Sequence, residues 1–109
     1  GRLHRIIIMI GFVTTPETAT EVLEAIRDAQ LGRGHAHFWT TGSMPIYTGD
    51  YAGKTLIPAS DEILDTPLRK GQTPRDFPEF NLLIEMLGGL EARVDVDRQD
   101  LVDPTLIDL

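Results

Sequence analysis

Leu3-His4-Arg5-Ile6-Ile7-Ile8-Met9-Ile10-Gly11-Phe12-Val13 contains the most apolar run of the chain. Ile6 to Ile10 are five consecutive apolar residues, four of them β-branched. Successive side chains of a strand point to opposite faces, so an unbroken run is apolar on both. That pattern suits a central strand covered on both sides. A buried helix is the competing reading, but Gly11 and the Thr14-Thr15-Pro16 cluster end the run too early for one.

Working outward, Thr15 as N-cap with Pro16 at the first helical position opens a helix, and Thr14 with Glu17 offers a capping box instead. Ala19, Val22, Leu23, Ile26 and Ala29 recur at helical spacing, Glu17, Glu21, Glu24 and Asp28 stay off that stripe, and Gly32 is a C-terminal stop. His35 to Thr41 reads as a strand, rich in aromatic and β-branched residues. Residues 42–54 form a long hairpin or irregular loop that includes a short strand at Ile46-Tyr47-Thr48, and Lys54 to Ile57 is another extended piece closed by Pro58. Ser60 caps one helical turn through Ile63 and Leu64, and Asp65 to Asp76 has loop composition. A second helix starts at Asp76, with Glu79 three residues on. Its stripe is Phe80, Leu83, Ile84 and Leu87, widened by Leu82 and Met86 as if covered on more than one side, and Gly88-Gly89 ends it. Glu91 to Asp97 alternates strictly, with Ala92, Val94 and Val96 on one face and a wet face opposite.

The expected fold class is therefore α+β, a two-layer sandwich in the ferredoxin-like βαββαβ order, with a mostly antiparallel sheet and two helices on one face. Right-handed crossovers place the first and third strands centrally. The 109 residues make one domain, 1–109, in which 98–109 are an acidic tail or a short docked segment. Helices on one face leave the other bare, and either Ile6, Ile8 and Ile10 or Ile7 and Met9 must be hidden. Pairing with a second copy is one remedy, giving a homodimer or other homo-oligomer; folding 42–76 back over the sheet is the rival.

At 41% hydrophobic and 25% charged, the composition is that of a soluble globular protein. No membrane-length apolar run and no signal-peptide pattern is visible, and the chain lacks cysteine, which excludes disulfides and thiol chemistry; a cytoplasmic location is the expectation. The net charge of −7 is uneven. Residues 1–54 carry five Lys/Arg and five Asp/Glu, whereas 55–109 carry five and twelve. An acidic chain repels phosphate, so neither nucleic acid nor an anionic membrane is an expected partner, while a basic protein is permitted. Trp39, Asp95, Asp97 and Asp100 are the candidate partner-binding residues. They support an acidic inhibitor or immunity-type reading.

Gly49-Asp50-Tyr51-Ala52-Gly53-Lys54-Thr55 resembles a phosphate-binding loop one residue short, and a strand rather than a helix follows, so a glycine-rich turn with an exposed lysine is the better reading. Thr41, Gly42 and Ser43 form a candidate anion-binding nest, and with Lys54 they are the candidate ligand-binding residues. His35 and His37, two apart on a strand, share a face and are the candidate ligands of a divalent metal, with a carboxylate as a third. The ordinary alternative is a surface row of His35, His37 and Trp39. Asp95, Asp97, Asp100 and Asp103 lack the glycine and terminal glutamate of a calcium loop. No catalytic residue is assigned. The sequence points to a non-catalytic binding or regulatory module that self-associates through its sheet face, ahead of a small metal-dependent enzyme using His35 and His37.

Overall fold

A computed structural model describes residues 7–28, 43–65, 73–76 and 78–106. The described residues make an α+β fold in which four strands form one antiparallel sheet. The strands are β1 (Ile8–Thr14), β2 (Met44–Pro45), β3 (Thr55–Pro58) and β4 (Val94–Asp97), in the spatial order β2-β3-β1-β4. Three α-helices are described: α1 (Pro16–Asp28), α2 (Asp61–Leu64) and α3 (Pro78–Met86). Among the described residues, no helix is long and apolar enough to cross a membrane.

β1 is a central strand, as its apolar run implies. Its C-terminal half pairs with β3, Phe12 opposite Ile57, and its N-terminal half pairs with β4, Ile10 opposite Asp95. Gly11 is the crossing point, opposite both Pro58 and Val94. A Cβ there would overlap the Ile57 carbonyl, so only glycine allows β3 to approach this closely.

Local chemistry sets the helix ends. Thr15 Oγ1 accepts the Thr18 N–H at 3.1 Å, the N-cap expected of Thr15 before Pro16. Ser60 Oγ accepts the Ile63 N–H at 3.1 Å and starts α2. α3 closes as a Schellman turn: Gly89 N–H reaches the Ile84 carbonyl at 2.9 Å and Gly88 N–H the Glu85 carbonyl at 3.0 Å, with Gly88 at φ 105°.

The sheet separates two cores. On the helix side, Phe12 and Ile57 pack with Ala19 and Val22 of α1, Leu64 of α2, and Phe80, Leu83 and Ile84 of α3. On the far side, Leu56 and Val96 pack under Ile46, with Met9, Val13, Tyr51, Val94 and Leu101 around them. The expectation of a bare far face thus fails over its centre. The 46–54 turn and the turn after β4 supply the cover, as the rival remedy of folding 42–76 back requires in part.

Several boundaries differ from the sequence reading. β2 is Met44–Pro45 rather than Ile46 to Thr48; Ile46 N–H still donates to the Lys54 carbonyl at 2.9 Å, and its side chain fills the far core. Residues Leu90–Ala92 form a 3-10 turn, so β4 begins at Val94. Arg93 holds that turn through its guanidinium, which donates to the carbonyls of Leu90 and Ala59 at 2.9 Å each. α3 begins at Pro78, two residues after Asp76. Asp76 lies in the 3-10 turn Pro74–Asp76 and accepts the Thr73 N–H at 2.9 Å. Leu82 and Met86 are exposed, so the described residues cover α3 on one side only. The Gly32 stop and the His35 to Thr41 strand lie outside the described residues.

Candidate functional site

Strand alternation splits β1 cleanly. Met9 and Val13 face the far core, and Phe12 faces the helices, so Ile8 and Ile10 lie on the helix side too. Yet Ile8 is 43% exposed and Ile10 40% exposed. β4 alternates likewise. Val94 and Val96 join the far core, leaving Asp95 and Asp97 on the helix side opposite Ile10 and Ile8. One open flank therefore carries two isoleucines beside two aspartates.

Two backbone bonds fix the phase of the β1–β4 ladder. Arg98 N–H donates to the Ile7 carbonyl at 2.8 Å, which makes Ile7 and Arg98 a hydrogen-bonded pair. Ala59 N–H donates to the Ile10 carbonyl at 2.9 Å, so the polar groups of Ile10 face β3 rather than β4. Ile8–Asp97 and Ile10–Asp95 are consequently the non-hydrogen-bonded pairs, with Cα atoms about 4.5 Å apart and side chains close together. The N–H and C=O groups of Asp95 and Asp97 point away from β1. Among the described residues β4 is an edge strand, so these groups form its open rim. Asp97 Oδ1 accepts the Gln99 N–H at 2.9 Å, which holds that carboxylate in place and leaves its other lone pairs available.

The other candidate residues fall elsewhere. Asp100 does not join Asp95 and Asp97. Its Oδ1 accepts the Thr48 hydroxyl at 2.7 Å and its carbonyl accepts the Tyr47 N–H at 2.8 Å, clasping the turn after β4 to the 46–54 turn. Gly49, at φ 87°, lies against that carboxylate. Ser43 precedes β2 and Lys54 precedes β3, and the antiparallel register puts them at opposite ends of that short ladder. Lys54 is exposed and leads into β3, so the helix a phosphate loop requires does not follow. Thr41, Gly42, His35, His37 and Trp39 lie outside the described residues. Among the described residues, no three or more His, Asp or Glu side chains converge as a metal site would need.

Sequence reasoning missed a charged clasp. Asp61 Oδ1 meets Arg93 at 2.9 Å and Arg75 at 3.0 Å, and Arg75 also reaches Asp65 at 3.1 Å. The hydrogen bond from Arg93 and its charge, seconded by Arg75, hold the Asp61 carboxyl below the usual carboxylate range. Asp61 and Asp65 each engage a guanidinium through Oδ1, so the cluster fastens α2 to the segments before α3 and β4. Asp103, beyond β4, is also held low, by the Thr105 hydroxyl and then the Thr105 N–H. No protein-family model, curated protein or solved structure matches the chain.

Proposed function

We propose that this chain is a non-catalytic binding module whose contact surface is the β1–β4 flank. The supporting observation is the juxtaposition of Ile8 and Ile10 with Asp95 and Asp97 beside an open strand edge. Burying an exposed isoleucine stabilises a complex in proportion to the area removed from water, at roughly 25 cal/mol per Å². The adjoining carboxylates give that apolar contact a charge preference. Self-association belongs to the same reading only if a second copy uses these isoleucines, since Ile46, Tyr51 and Leu101 occupy the far face. The sheet order β2-β3-β1-β4, with α1 following β1 and α3 preceding β4, supports a ferredoxin-like assignment in which β1 and β3 are central.

The test compares capture from native extract by the wild-type chain and by an Ile8→Ser/Ile10→Ser variant, at low and high salt. The expected result is a salt-sensitive partner that the variant loses while its unfolding midpoint stays close to wild type. Equal capture by both proteins would remove the flank as the binding surface. Sedimentation equilibrium adds the oligomeric state: a single 12.1 kDa species would remove self-association.

A further inference from the structure

We propose that β4 takes up an added strand, an extended peptide segment in which basic residues alternate with apolar ones. This rests on the flank being the binding surface and specifies the partner's chemistry. The ladder phase turns the N–H and C=O groups of both Asp95 and Asp97 outward, so an incoming strand finds two residues ready for backbone pairing. Residues directly opposite Asp95 and Asp97 would project to the helix side, beside their carboxylates and near Ile8 and Ile10. Lysine or arginine suits those positions: the ammonium or guanidinium meets the carboxylate and the aliphatic stem lies towards the isoleucines. The intervening residue, opposite Val96, would project to the other face, where Val94 and Val96 are apolar. Arg98 also lies towards that other face, lining a groove with Met9, Met44 and Leu101, so its charge is displaced from the basic positions.

The same geometry argues against a second copy pairing at this edge. A two-fold antiparallel β4–β4 pair centred on Val96 puts Asp95 opposite the partner's Asp97, and the reverse. Like charges directly opposite one another destabilise a sheet, and edge charges of this kind are a common guard against self-pairing. Two aspartates that reject an identical strand select one of opposite charge.

The probe is an acetylated, amidated peptide of three lysine–valine repeats, with a glutamate–valine peptide as control, titrated into the isotope-labelled full chain. The expected result is that the Asp95 and Asp97 amides shift and exchange with solvent at least tenfold more slowly with the lysine peptide, and not with the glutamate peptide. An Asp95→Lys/Asp97→Lys variant should reverse that preference. If the double variant loses its dispersed spectrum, Asp95→Lys alone carries this arm, because Asp95 is exposed. Shifts at the Ile8 and Ile10 methyls without protection of the two amides would overturn strand addition and leave the flank as the contact surface. Equal binding of both peptides, or no response to either, would also overturn it, and the flank would then be judged on the Ile8→Ser/Ile10→Ser capture alone.

Discussion

In the C-terminal half of β1, Phe12 is 2% exposed, boxed in by Ile57 and by residues of all three helices; in the N-terminal half, Ile8 and Ile10 lie on the same side of the same strand and remain well exposed. The side chains are alike in apolarity. What differs is the neighbour across the ladder: β3 answers Phe12 with Ile57, whereas β4 answers Ile8 and Ile10 with aspartates. A run of apolar residues thus records a capacity for burial, and the partner strand and helix positions decide whether this chain uses it.

Truncating a side chain in each half of β1 should give very different losses. Phe12→Ala should cost about 3–5 kcal/mol in chemical denaturation, as for a buried aromatic in a packed core. Ile10→Ala should cost about 1 kcal/mol or less, because much of that side chain already meets water. Equal losses would mean the flank is core after all. Next, Gly11→Ala tests the crossing point between the halves. The added methyl overlaps the Ile57 backbone, and about 1–3 kcal/mol of destabilisation is expected, with the β1–β3 amides shifting more than those of β1–β4.

Local signals in the sequence account for part of this fold. The α+β class, α1 with its Thr15 cap, the Ser60 cap and the Gly88-Gly89 stop could be read directly, because each depends on residues within one or two turns of one another. So could the alternation of Val94 to Asp97. The covering of the far face has no local signal, since it depends on Ile46 and Leu101 meeting across distant sequence. Nothing local marks Arg93 as the partner of Asp61, 32 positions away. Spacing alone groups Asp100 with Asp95 and Asp97, but the 3-10 turn Arg98–Leu101 breaks the strand period and delivers it to Thr48.

Smaller effects sharpen the picture of how each region is fastened. Asp100→Ala removes the Thr48 hydrogen bond and should cost about 1 kcal/mol, with Tyr47 and Thr48 showing the largest amide shifts. The least effect belongs to Asp61→Asn. The folded-state pKa of Asp61 is depressed, so its contribution is present above the unfolded-state carboxylate pKa and disappears as pH falls through the folded value. The variant should unfold slightly earlier than wild type near pH 7, and the difference should shrink as the pH falls below the ordinary carboxylate range. The pair is exposed, so added salt should shrink the neutral-pH difference.

Solvent relaxation tests the contrast within β1 most directly. A soluble gadolinium chelate added to the methyl-labelled chain should broaden the Ile8 and Ile10 methyl signals strongly and leave those of Ile57 and Leu56, which are 0% exposed, almost unchanged. Ile8 and Ile10 signals as protected as that of Ile57, in a sample sedimenting as a monomer, would contradict the open flank.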